Sequence, residues 1–255
     1  MRIPKYTFVD SVKIYNLGDV HRGNATCDSD LFKKTIQFIS QEKEAFWVST
    51  GDLLEVALKN SKSDVYSAMN PEKEYESIIK ELDPIKDKCL GFVESNHHGR
   101  FKKDTGMSLD KFICDSLGIK NKFLGAVGLI SVVCGSAKYF VAMHHGTGGG
   151  RLRGSKTTSL NRFGDILSGA DVYMEGHTHS YEHFVDTVNY IDKKRDIVQS
   201  FNAHFVTTGH YLKWEGSYAQ NLKLKAMPLG CSVVELFPSD YGRYSSKKIK
   251  VDLFS

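Results

Sequence analysis

Short apolar runs that stop at small polar residues dominate the first hundred positions. Val12 to Leu17 is apolar enough for a buried strand and ends at Gly18-Asp19. Leu31, Phe32, Ile36 and Ile39 recur at helical spacing behind Ser29 or Asp30 as a cap. Ala45 to Ser49 is a second short strand, again ending in Gly-Asp, at Gly51-Asp52. The stretch from about Pro71 to Ile85 carries the charge pattern of an amphipathic helix. Cys89 to Val93 is a third strand, ending at Ser95-Asn96-His97-His98, and Leu109 to Leu117 a further helix that stops at Gly118.

The second half is richer in strands. Leu129 to Val133 and Tyr139 to Met143 are expected to be neighbours across a Gly-Ser turn. Leu160 to Leu167 is a helix, and Val172 to Met174 a strand that ends at Gly176-His177-Thr178-His179. His183 to Ile191 and Asp196 to Val206 flank the polar turn Asp192-Lys193-Lys194-Arg195. Cys231 to Phe237 and Lys247 to Leu253 are the last two strands. No linker-like shift in composition divides the chain, so residues 1–255 are expected to form one α/β domain.

Composition narrows the picture. The chain has 255 residues, 41% hydrophobic and 25% charged, the mixture of an ordinary globular protein. Phe123 to Ala137 is the longest weakly polar stretch and falls short of the roughly 18 residues a membrane span needs. The first residues have no uninterrupted apolar core, so no signal peptide and no membrane partner are expected. Cys27, Cys89, Cys114, Cys134 and Cys231 are odd in number, with no Cys-x-x-Cys, which argues for free thiols and a cytoplasmic setting. A pI near 8.6 is compatible with a polyanionic substrate.

The polar clusters at strand ends change the picture most. They are Asp19-Val20-His21, Gly51-Asp52-Leu53-Leu54-Glu55, Asn96-His97, His144-His145-Gly146 and Gly176-His177-Thr178-His179. Carboxyl ends of strands in open α/β sheets are where ligand chemistry gathers. Carboxylate, carboxamide and imidazole suit Mn, Fe, Zn, Co or Ni. The donors outnumber the four that one tetrahedral ion takes. Two ions about 3.5–4 Å apart, bridged by one carboxylate, would use them all.

In this order the five motifs resemble those of the calcineurin-like metallophosphoesterase superfamily, over the stretch from Asp19 to His179. The resemblance implies a sandwich of two mixed β-sheets flanked by helices, a four-layer αββα fold. It implies two divalent metal ions, manganese first among them. Asp19, His21 and His179 would hold one ion, and Asp52 would bridge. Asn96, His177 and one histidine of the pair His144/His145 would hold the second, with His144 favoured because it directly follows the strand. His97 matches the histidine that contacts the substrate phosphate and protonates the leaving oxygen. Glu55 takes the position of an acid that orients that histidine. The implied reaction is in-line attack on phosphorus by a metal-bound hydroxide. Ser95, His98 and Glu55 depart from the residues usual at their positions in the family, where Gly, Asp or Glu, and Asp or Asn are the rule.

A nucleotide or nucleic-acid phosphodiester is the expected substrate class. A phosphomonoester (as for a protein or small-molecule phosphatase) and a non-catalytic metal-binding interaction module are the alternatives. Arg22 and Arg100 lie beside metal motifs, and Arg151 in the Gly146 to Lys156 loop, so all three are candidate phosphate contacts together with His145. That loop lacks the Lys-Ser/Thr order of a P-loop, because Ser155 precedes Lys156. His183, His204 and His210 are expected to be structural. Tyr211, Trp214 and Tyr218 are expected to pack the second sheet, with base stacking as the other option.

Overall fold

The structure, a computed structural model, describes residues 3–57, 68–148, 150, 152–238 and 247–255; of Asn96, His97, Arg100 and Asp104 it describes the backbone. Strands β1 (Lys5–Phe8), β6 (Val127–Cys134), β7 (Ala137–His144), β8 (Val172–Glu175), β9 (His183–Asp192) and β10 (Ile197–Thr207) form a six-stranded sheet in the order β1-β6-β7-β8-β10-β9. The other sheet has seven strands. Its order is β11 (Gly209–His210), β12 (Gly230–Leu236), β2 (Val12–Gly18), β3 (Ala45–Gly51), β4 (Cys89–Val93) and β5 (Phe123–Gly125), with β13 (Ile249–Phe254) also paired to β12. Both sheets are mixed. β2 to β5 run parallel, as do β7, β8 and β10 and the pair β1 and β6, while β12 with β2, β6 with β7 and β9 with β10 pair antiparallel.

Alternation along the strands builds three apolar layers. Val12, Ile14 and Val48 of one sheet meet Val141, Met143, Val172 and Met174 of the other in the core between the sheets. Tyr15, Leu17 and Trp47 point the opposite way, onto α1 (Ser29–Gln41), α2 (Pro71–Leu82) and α4 (Leu109–Ser116). On the far side, Ala142, Tyr173 and Phe205 pack under Leu160 and Phe163 of α5 (Arg153–Ile166). The result is helix, sheet, sheet, helix, as the strand-and-helix pattern and the family resemblance led us to expect. Among the described residues no helix is long and apolar enough to cross a membrane.

Helix ends are closed by identifiable groups. Asp28, not Ser29 or Asp30, caps α1, its carboxylate accepting from the Leu31 N–H at 3.1 Å. At the other end Lys88 Nζ donates to the carbonyls of Ile39, Ser40 and Glu42, satisfying acceptors that the helix leaves open. The expected helix through Ile85 splits into α2 and a 3-10 turn over Asp83–Lys88, with Pro84 just inside that turn. α5 begins at Arg153, earlier than its apolar spacing indicated, and α3 (Asn96–Thr105) follows directly from the Asn-His cluster. The strands β1, β5 and β11 and the short α6 (Tyr218–Asn221) are too brief or too polar for periodicity to reveal.

The carboxyl ends of β2, β3, β7 and β8, two strands from each sheet, converge at one place. The loops after β2 and β3 are stitched together there, Asp19 N–H to the Gly51 carbonyl and His21 N–H to the Asp52 carbonyl, both at 3.0 Å. Gly51, at φ +96°, is required by this crowding. A Cβ on it would stand 2.5 Å from Ser95 Cβ and 2.9 Å from His145 Nδ1. Gly154, in α5, has open space around its Cα. Gly51→Ala is therefore expected to lower stability by about 2 kcal/mol or more. Gly154→Ala is expected to raise it by about 0.5–1 kcal/mol through helix propensity. Urea unfolding of both variants checks this, and equal stabilities would refute the packing described.

Candidate metal centre

Six side chains gather at the convergence point in two clusters, Asp19 with His21 and His179, and Asp52 with His145 and His177; in each, the ligand atoms lie within 4.8 Å of one another. Five of the six residues have left-handed backbone: Asp19 (φ 49°), His21 (51°), Asp52 (52°), His177 (69°) and His179 (47°). Non-glycine residues rarely adopt this conformation, and it costs roughly 1–2 kcal/mol each. Its concentration here lets side chains two apart in sequence, Asp19 with His21 and His177 with His179, turn into one small volume.

Asp52 joins the clusters. Its Oδ2 lies 3.1 Å from His145 Nε2 and 4.0 Å from His21 Nε2, so one carboxylate oxygen faces an imidazole of each group. The Nε2 atoms of His21 and His179 are 3.0 Å apart, and His179 Nε2 is 3.7 Å from Asp19 Oδ1. Apart from an approach by the His177 backbone N–H, neither oxygen of the buried Asp19 carboxylate accepts a hydrogen bond among the described residues. Burial and the nearby Asp52 charge push the Asp19 carboxyl well above the usual carboxylate range. A buried anion of this kind is costly unless a cation faces it. The donor set, two carboxylates and four imidazoles, therefore fits divalent cations.

The outward ring nitrogens are held as metal-ligating histidines require. His145 Nδ1 donates to the Thr50 carbonyl at 2.7 Å, which leaves Nε2, facing Asp52, as the ring atom that an ion would take. His177 Nε2 donates to the Gly148 carbonyl at 2.6 Å, which leaves Nδ1 for a ligand. His21 Nδ1 lies 3.0 Å from Glu55 Oε2, and both side chains are buried. Burial alone lowers the His21 imidazolium, but the Glu55 hydrogen bond and charge, with Asp52 and Asp19, outweigh it and raise the group to about 9. His145 is raised to about 9 in the same way, burial being outweighed by Asp52. Burial lowers His177.

His145, not the favoured His144, stands in the second cluster. Val141 and Met143 point into the core between the sheets, and His145 continues that alternation. His144 falls on the opposite face, against Phe163 of α5 with ring centroids 5.7 Å apart, and its Nδ1 accepts the Gly146 N–H. Glu55 Oε2 faces His21, and the His97 side chain that it is expected to orient lies outside the described residues. Arg22 is turned away from the clusters. Its Nε and Nη1 donate to Ser77 and Ser29, and its Nη2 is 3.1 Å from Glu81, so its donors are spent on α1 and α2. Asn96 and His97 begin α3, directly after β4. The side chains of Asn96, His97 and Arg100, and the whole of Arg151, lie outside the described residues.

Three residues join the site's surroundings without a motif to announce them. Asp110 accepts from the backbone and side chain of Ser95 and pairs with His98 Nδ1 at 2.7 Å, tying the start of α3 to α4. His210, expected to be structural, stacks on His179 with centroids 5.5 Å apart and planes 13° from parallel, and burial lowers it to about 4. The Tyr218 hydroxyl lies 3.2 Å from His179 Nδ1, and burial with the nearby Asp19, Glu55 and Asp52 raises its phenol to about 12. By contrast Tyr211 is core, its hydroxyl on Thr35. The signal for Asp110 and Tyr218 is tertiary, since each reaches the site from a different element.

Glu55 keeps His21 charged in the metal-free chain. The stability this pair contributes is fully present below the ordinary histidine range near 6.5 and is lost as pH rises through about 9. In EDTA, Glu55→Gln is therefore expected to be more destabilising at pH 6 than at pH 9.5, as read by urea midpoints. A cost that is equal at the two values, or larger at pH 9.5, would contradict the pairing.

No protein-family model matches this chain, and no curated protein matches it. Among solved structures, the solution NMR structure of the Thermotoga maritima protein TM1076 is similar over 95% of this chain and 99% of its own, at 11% identity and a TM-score of 0.38.

Proposed function

We propose that this chain is a dinuclear metal-dependent phosphoesterase of the calcineurin-like type, acting first on phosphodiesters of nucleotides or nucleic acid. The observation that carries this reading is Asp52 Oδ2, set between imidazoles of two clusters that each supply further ligands. Mononuclear structural sites have no use for such a shared carboxylate. The motif order from Asp19 to His179 supports the same reading.

Asp19, His21 and His179 would hold one ion, and His145, His177 and Asn96 the other, with Asp52 common to both. Bound there, two divalent ions supply an activated water and neutralise the charge of a phosphoryl group. The protein's own part is positional. Thr50, Gly148 and Glu55 fix which ring nitrogen of His145, His177 and His21 carries the proton, so that each lone pair points inward. The buried carboxylates hold negative charge where cations are needed. His97, on the first turn of α3, is the residue assigned to protonate the leaving oxygen. Five free cysteines, four of them buried, suit a reducing cytoplasm.

Hydrolysis of bis(p-nitrophenyl) phosphate with added Mn2+ tests the proposal. The wild-type chain is expected to turn it over, and Asp52→Asn to lose at least 100-fold in kcat/KM while keeping its fold by circular dichroism. Absence of turnover with every divalent ion, on diesters and monoesters alike, would leave a metal-binding interaction module. Undiminished turnover by Asp52→Asn would remove Asp52 from the shared position.

A further inference from the structure

We propose that Tyr218 is a positioning and phosphate-contacting residue of this centre: its oxygen accepts the Nδ1–H of His179, and its own proton is directed to an oxygen of the bound phosphoryl group. The inference rests on the phosphoesterase reading and extends it to a residue far outside the motifs.

The geometry leaves one consistent proton arrangement. His179 Nε2 is the ring atom that faces the cluster, 3.0 Å from His21 Nε2 and 3.7 Å from Asp19 Oδ1. To ligate an ion there it must be unprotonated, so the ring proton sits on Nδ1. Nδ1 lies 3.2 Å from the Tyr218 hydroxyl. The phenol oxygen is thus the acceptor, and the phenol proton is left for another partner. The three half-buried members of this group are His177, His179 and Tyr218, whereas Asp19, His21, Asp52 and His145 are buried. Tyr218 therefore stands on the open side of the cluster, the side from which an anionic substrate enters.

The surrounding turn holds the phenol in place. The Lys213 N–H donates to the Thr26 carbonyl and Leu212 forms a β-bridge with Cys27, so the segment is laced to the loop that follows Asp19 and His21. Within it, Trp214 Nε1 donates to the Leu224 carbonyl, Ser217 Oγ to the Trp214 carbonyl and the Gly216 N–H to Gln220 Oε1. A tyrosine so braced loses little freedom on binding a ligand. Its phenol supplies a neutral donor at a site where the carboxylates would repel phosphate.

Tyr218→Phe removes the hydroxyl and keeps the ring. In calorimetric titrations of the whole chain, inorganic phosphate is expected to bind the Mn2+-loaded variant about tenfold more weakly than the wild type. Mn2+ itself is expected to bind about tenfold more weakly at one of two sites, through the lost partner of His179. The thermal midpoint without metal should be unchanged within a degree or two. Wild-type phosphate affinity in the variant would overturn the proposal, and so would a wild-type chain that binds no phosphate. A Tyr218-dependent phosphate affinity in a chain that hydrolyses no ester would uphold the contact and refute the phosphoesterase reading instead.

Discussion

The Asp52 carboxylate is the point on which the site depends. It is buried among four imidazoles and a second carboxylate, and one of its oxygens faces histidines that arrive from different sheets. Bringing those groups together requires the ends of β2, β3, β7 and β8 to approach within a few ångströms. That approach in turn requires Gly51 and left-handed backbone at five cluster residues. Strain of this kind persists only where surrounding packing over-determines it. The three apolar layers supply that packing, and the backbone bonds between the Asp19 and Asp52 loops fix the register of the site.

The fold was largely legible in the chain because its strands are short, apolar and sharply ended. Val12 to Leu17, Ala45 to Ser49 and Cys89 to Val93 could be placed from composition alone, since strands of a sheet covered on both faces read as continuous apolar runs. The site was legible as a set of residues and less so as an arrangement. Arg22 sits one residue from His21, yet its side chain leaves in the opposite direction and is bound to Ser77, Ser29 and Glu81. The choice between His144 and His145 was written in the parity of β7. Val141 and Met143 face the inter-sheet core, so the residue in phase with them turns inward, whichever lies nearer the strand end.

The C-terminal third held what the motifs did not disclose. His210 and Tyr218 reach His179 from a segment with no recognisable signature, and only the packing of β11 and the turn around α6 against the β2 loop brings them there. Glu55 is the complementary case: its place in a motif singled it out, and tertiary structure sets it beside the Nδ1 of His21. Such outer partners set the protonation and direction of ligands and so shape metal affinity nearly as much as the ligands themselves.

Two Mn2+ ions sharing the Asp52 carboxylate would be magnetically coupled, and electron paramagnetic resonance during Mn2+ titration reads that coupling. The expected result is saturation at two ions per chain with the broadened spectrum of an exchange-coupled pair, the coupling disappearing in Asp52→Asn. Saturation at a single ion, or two ions giving only the separate six-line signals of isolated Mn2+, would contradict it.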